Sequence, residues 1–190
     1  MPMRTSSSAP VADLTSLIVR SLVLYSLAEF QAGHATTIRV AASGNSFSVS
    51  DNGRGHAIDR VVDGVPYLDL VYGQLEYPLG ASPGPAVQLQ GIATSLIRSL
   101  ASELAVTVCK DDIVYRMRFR EGAVEASRQP RGDGQERGNT VAGTVRPGLE
   151  SRAPSAEALE PWLIAVCAAA PGLTIEFNGR ALDAGKPGAA

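Results

Sequence analysis

The chain has 190 residues, a formal net charge of −2, and a composition that is 45% hydrophobic and only 5% aromatic. That length suits one domain with a sizeable core, and the near-neutral charge excludes a broad electrostatic footprint for nucleic acid. No apolar run reaches the ~18 residues of a membrane span, and the two cysteines, Cys109 and Cys167, show no metal-ligand spacing and read as reduced core thiols of a cytoplasmic protein.

Residues 1–10 are polar and Ser-rich without an apolar signal core, so a disordered tail is expected there. Leu14 to Phe30 holds no Gly or Pro and reads as a mostly buried helix ended by Gly33. Ile38–Val40 and Phe47–Ser50 read as strands joined through a Gly44-Asn45 turn. Asp51-Asn52-Gly53-Arg54-Gly55 then breaks the alternation, because Asn and Gly tolerate the positive φ that sharp turns need. An Asp at the end of a strand against a glycine turn is suited to accept a hydrogen bond from the amino group of a bound ring. His56 follows, as a surface residue or as a lining of the pocket mouth.

A helix is expected around Tyr67–Leu75, then a Pro/Gly-rich loop over residues 77–86. Gln90-Gly91-Ile92-Ala93 leads into a helix over Thr94–Glu103, with Leu96, Ile97 and Leu100 inward. Leu104–Lys110 and Ile113–Glu121 alternate as a hairpin around Asp111-Asp112. Glu125–Gly138 is polar, with Pro130, Gly132 and Gly134, and is expected as a mobile loop. A strand over Thr140–Arg146 and a helix from Ser155 through Leu159, Trp162, Leu163 and Val166 follow. Leu173–Phe177, an Asn178-Gly179 turn and Arg180–Leu182 close the pattern.

Asp51-Asn52-Gly53-Arg54-Gly55, with Gly33-His34-Ala35-Thr36-Thr37-Ile38-Arg39-Val40 before it and Gln90-Gly91-Ile92-Ala93-Thr94-Ser95-Leu96 after it, resembles the ATPase domain of DNA gyrase B and topoisomerase IV. The resemblance covers roughly residues 14–182. It implies an α/β fold of α+β two-layer type: a GHKL, Bergerat-type mixed sheet of about eight strands covered on one face by helices. Residues 11–184 would form that single domain, 185–190 a flexible C-terminus, and the family's transducer domain, with the lysine that reaches the γ-phosphate, would be lacking.

The resemblance also implies where chemistry has changed. The family's general-base glutamate corresponds to Ser21, and a hydroxyl is no base near pH 7 without a partner. The magnesium-holding asparagine corresponds to Tyr25, a poor ligand for a hard cation, which reads equally as a core aromatic. The following aspartate corresponds to Ala28, while Glu29 is kept. Relatives carry an apolar residue and a proline where His56 and Ala57 stand. The family's "H-G-x-G" is Gln90, Gly91 and Ala93 here, and the methyl of Ala93 crowds a place where backbone amides approach phosphate. The loop in the position of the ATP lid carries Glu76 and no cation between Arg60 and Arg98. For the threonine of the family's "G-T-x-V" strand, Thr140 and Thr144 compete.

From this pattern follow no Mg-ATP cofactor, no metal site and no ATP hydrolysis. The pocket is expected to take an apolar small molecule. Its lining would be Ser21, Leu24, Tyr25 and Ala28 from the helix, Asp51, Gly53 and His56 from the turn, Gln90, Gly91 and Ala93 before the later helix, and Thr140. Tyr25 and Asp51 are the candidate catalytic groups. The leading expectation is a cofactor-independent cyclase that folds a polyketide-type chain for an intramolecular cyclisation such as a [4+2] addition, where proximity supplies the rate. An antibiotic-binding self-resistance protein and a gyrase-domain mimic acting on a protein partner stand beside it. No nucleic-acid or membrane partner is expected, and the chain would be a monomer or homodimer.

Overall fold

The computed structural model describes residues 14–73, 94–149 and 156–183. Helix α1 spans Leu14–Gln31; strands β1 (Thr37–Ser43) and β2 (Ser46–Asp51) follow as an antiparallel hairpin. A small hairpin, β3 (Val61–Val62) and β4 (Val65–Pro66), precedes α2 (Tyr67–Gly73). Then come α3 (Thr94–Leu100), β5 (Ala101–Lys110), β6 (Ile113–Arg120), β7 (Ala123–Pro130), β8 (Gly138–Val145), α4 (Ala156–Ala169), β9 (Thr174–Phe177) and β10 (Arg180–Ala181).

The main sheet has eight strands in the order β10-β9-β1-β2-β8-β5-β6-β7. It is mixed, because β1 and β9 run parallel while the other pairs are antiparallel. Period-2 burial places Ile38, Val40, Phe47, Val49, Leu104, Val106 and Val108 in the core. Helix α1 packs on β1, β2 and β8, α3 on β5 and α4 on β9. This is the α+β architecture expected from sequence.

Helix α1 has buried residues on most of its circumference, Thr15, Ser16 and Ser21 among them. Its C-terminus is closed by Gly33 at φ 77°, with Gly33 N–H donating to Phe30 O at 2.8 Å and His34 N–H to Glu29 O at 2.9 Å. That closure fixes the exit of the chain toward β1.

Several expectations are corrected. The loop expected over Glu125–Gly138 is, over Ala123–Pro130, the edge strand β7, paired along its length with β6. Every β7 residue is exposed, so its side chains carry no burial alternation, and its order comes from backbone pairing. The helix expected to reach Glu103 ends at Leu100, because Ala101 and Glu103 are claimed by β5 pairing with β8 across a register shift. Leu96 is 40% exposed rather than inward, while Ile97 is fully enclosed. The β3–β4 hairpin is too short for periodicity to reveal. The 77–86 loop and Gln90, Gly91 and Ala93 lie outside the described residues. Cys109 and Cys167 are both free thiols on separate elements.

Candidate functional site

Asp51 ends β2 beneath α1 and is buried, with 9% of its surface exposed. Its carboxylate is held from three sides. Ser26 Oγ donates to Oδ2 at 2.9 Å, Gly53 N–H donates to Oδ1 at 2.9 Å, and the backbone of Asn139 donates a third bond. Burial nevertheless pushes the Asp51 carboxyl above its usual range, against the three bonds that favour the charged form.

The turn around it is tied to the rest of the fold by side chains. Asn52 Oδ1 accepts from the N–H of Thr36 at 2.8 Å and of Thr37 at 3.0 Å, which fixes the start of β1. Arg54 donates to both oxygens of Glu29, at 3.2 and 2.9 Å, and its backbone N–H donates to the same carboxylate at 3.2 Å. That guanidinium holds the Glu29 carboxyl below the usual range. Gly53 is required by closeness: a Cβ there would stand 2.8 Å from Asp51 Oδ1 and 3.1 Å from Glu29 Oε2. The close approach at this glycine is therefore made to the protein's own carboxylates. Arg137 Nε closes the outside of the turn by donating to Gly53 O at 3.0 Å.

Above Asp51 lies a cavity of about 130 Å³. Tyr25 and Ala28 wall it from α1, Tyr67 and Tyr72 from α2, and Val49 and Val141 from the sheet. His56 enters from the turn: its backbone N–H donates to Asn139 Oδ1 at 2.9 Å, and its ring Nε2 lies 2.9 Å from Tyr72 Oη. The ring meets Tyr67 and Tyr72 edge-on, with centroids 6.5 and 5.7 Å away. Burial lowers the His56 pKa to about 4, so the imidazole is neutral at physiological pH. Burial likewise raises the Tyr72 phenol. Asp51 is thus the carboxylate on the cavity floor, with Glu29 turned to Arg54. Among the described residues no group of three His, Cys, Asp or Glu side chains is arranged to hold a metal ion.

No family model matches the chain. The DNA gyrase B protein of Streptococcus pyogenes serotype M3 is 32% identical over 135 residues, which is 68% of this chain and 21% of that protein. The type 2 topoisomerase B protein of Aquifex aeolicus is 31% identical over 122 residues, 60% of this chain and 15% of that protein. The topoisomerase IV ATP-binding domain of Francisella tularensis, solved with a small-molecule inhibitor, matches with a TM-score of 0.68 at 21% identity, over 84% of this chain and 79% of that one. This chain is a homologue of the gyrase B and topoisomerase IV ATPase domain. It spans about a fifth of the length of the gyrase B relative.

In this gyrase B-type domain, Tyr25, Ala28, Asp51 and His56 come together as walls of one cavity. Ser21, Leu24, Gly53 and Thr140 are not among those walls. Ser21 is buried within α1, where its hydroxyl donates one turn back to Leu17 O at 2.9 Å. Gly53 acts through its N–H on Asp51. Thr140 and Thr144 share the opposite strand face from Val141, and Thr144 Oγ1 meets Ser46 Oγ at 3.3 Å there.

Sequence reasoning misses Ser26, Tyr72 and Asn139. For Ser26 the signal is the helical spacing Leu22, Ser26, Glu29, which puts it on the face that carries Glu29. For Asn139 it is strand parity with Val141, which puts Asn139 on the cavity face and Thr140 and Thr144 on the other. Tyr72 carries no signal beyond an aromatic in an apolar helix.

Proposed function

We propose that this domain binds one flat, largely apolar ring that carries a single hydrogen-bond donor, and that it does so without magnesium-dependent ATP hydrolysis. The observation that carries the reading is the Asp51 carboxylate on the floor of a one-ring cavity. A carboxylate has about four acceptor positions, and three are taken by Ser26, Gly53 and Asn139. About one remains for a ligand. The volume of about 130 Å³ is close to that of cavities that hold a single aromatic ring, which are about 150 Å³.

The aromatic walls favour stacking and edge contacts over charge. The Francisella tularensis domain takes a small-molecule inhibitor, which supports a small organic ligand here. Two substitutions read from the family resemblance support the loss of hydrolysis. Ser21 stands for the general base and turns its hydroxyl to Leu17 O. Tyr25 stands for the metal-holding asparagine and walls the cavity with a ring. The volume between the described walls matches a single ring, and binding of that ring is the reading put forward here.

The test is a calorimetric comparison of 2-aminobenzothiazole with 2-methylbenzothiazole, which has the same shape without the amino donor. We expect the amino compound to bind about tenfold more tightly to the wild type, as one hydrogen bond to a charged acceptor provides. The gap should narrow in Asp51→Asn. Equal affinities for the two probes would contradict the assignment of Asp51 as ligand acceptor.

A further inference from the structure

A second and larger cleft, of about 320 Å³, lies at the other end of β5 from the Asp51 cavity. Its walls come from the C-terminal end of α3, the β6–β7 turn and the residue that follows β8. Arg98 from α3, Arg120 at the end of β6 and Arg146 after β8 are among the lining residues. We propose that this cleft is a separate binding site for a small organic anion, an apolar body bearing one carboxylate or phosphate group.

The arginines are held in place by the fold. Arg98 lies over the Phe119 ring, 4.7 Å from its centroid, where the aromatic face supports the guanidinium. Arg146 is pinned at the end of α3: its backbone N–H donates to Leu100 O at 2.9 Å, and its Nε donates to Ala101 O at 3.0 Å. Those bonds also satisfy carbonyls at the helix end that would otherwise repel an anion. Arg120 ends β6 at the rim of the cleft, opposite Glu103 in register and on the other strand face from Phe119, and the Glu103 carboxylate is 3.3 Å from Arg118.

Arg39, Arg54, Arg118, Arg128 and Arg180 each pair with a carboxylate, whereas Arg120 and Arg146 form no ion pair among the described residues. Glu121, on the β6–β7 turn, is the carboxylate among the described walls. The described lining of the cleft carries three arginines and one carboxylate, so its local charge is positive in a chain of net charge −2. Arginine forks match planar carboxylates and phosphates through paired hydrogen bonds. Leu104 and Phe119 supply an apolar floor, and the volume falls at the lower end of small-molecule sites.

The test is an amide-shift titration of the full chain with phenyl phosphate, benzoate and inorganic phosphate. We expect phenyl phosphate or benzoate to move the amides of Ser99, Ser102 and Gly122; whichever is tighter names the acid group. Arg120→Gln and Arg146→Gln should each weaken that probe about tenfold. Arg116→Gln, the same charge change away from the cleft, should alter it less than about twofold. Inorganic phosphate should bind more weakly than phenyl phosphate, because the apolar floor is unused. The proposal is overturned if shifts cluster at Gly53 and Gly55 instead, if Arg116→Gln costs as much as Arg120→Gln, or if neither organic probe shifts any amide at about 10 mM.

Discussion

The two sides of the Asp51 cavity are held in different ways. On the turn side, Asp51, Asn52, Gly53 and Arg54 are each fixed by side-chain or backbone hydrogen bonds to α1, β1 or their own turn. On the helix side, Ser26 and Glu29 bond to that turn, Tyr25 and Ala28 wall the cavity, and the Ser21 hydroxyl bonds back along its own helix. The contrast teaches which residues of such a site are free to change. The turn residues also hold the fold together, so replacing one leaves buried partners without their hydrogen bonds. Tyr25 and Ala28 give the cavity its shape and chemistry, and α1 forms whatever stands at those two positions.

The sharpest break of this comparison is Gly138→Ala. Gly138 opens β8 at φ 130°, and a Cβ there would overlap the backbone carbonyl of Asp51. Such an overlap on a backbone atom, with strain added, should cost about 4 kcal/mol or more and abolish cooperative urea unfolding. Gly44→Ala, at φ 54° with open space around it, should cost only about 1 kcal/mol. Equal costs would show that the approach of β8 to Asp51 is not tight.

Next in size is Asp51→Ala. It leaves the Ser26 hydroxyl and the Gly53 N–H without their acceptor, and should cost about 3 kcal/mol by denaturant unfolding. Tyr25→Phe, on the helix side, should stay within about 1 kcal/mol of wild type. A reversal of that order would dissolve the distinction between the two sides.

The pH dependence sharpens it further. His56 has a folded pKa of about 4, below its unfolded value, so its contribution is present above pH ~6.5 and is lost as pH falls toward 4. The loss is at most about 3 kcal/mol. Asp51, whose pKa is raised by burial, contributes with the opposite sign at the acid end and offsets part of the fall. His56→Phe should therefore flatten the stability profile between pH 7 and 5. An unchanged slope would mean that the imidazole is solvated. The smallest expected effect is Glu29→Gln: its partner Arg54 is half exposed, so about 0.5–1 kcal/mol is at stake.

Much of the fold is legible in the sequence because its signals are local. Val49 and Phe47 alternate with serines, Gly33 ends α1, and Asp111-Asp112 turns β5 into β6. Strand β7 is not legible, since a fully exposed edge strand has no burial pattern to read and is defined by its neighbour's backbone. The site is legible at Asp51, where turn chemistry and strand end coincide. Ser21 and Thr140 do not line the cavity, because which face of an element meets it depends on packing. Spacing puts Ser26 on the face of Glu29 and parity puts Asn139 with Val141, and packing of α1 and β8 against the turn brings both to Asp51 and His56.

The central claim, a gyrase B-type cavity that recognises a ring without holding a metal-bound nucleotide, is tested most directly by titrating the full chain with ATP in the presence and absence of magnesium. With Tyr25 in the place that the family resemblance gives to the metal-holding residue, we expect the two titrations to agree within about twofold. Binding that tightens about tenfold or more when magnesium is added would contradict the claim.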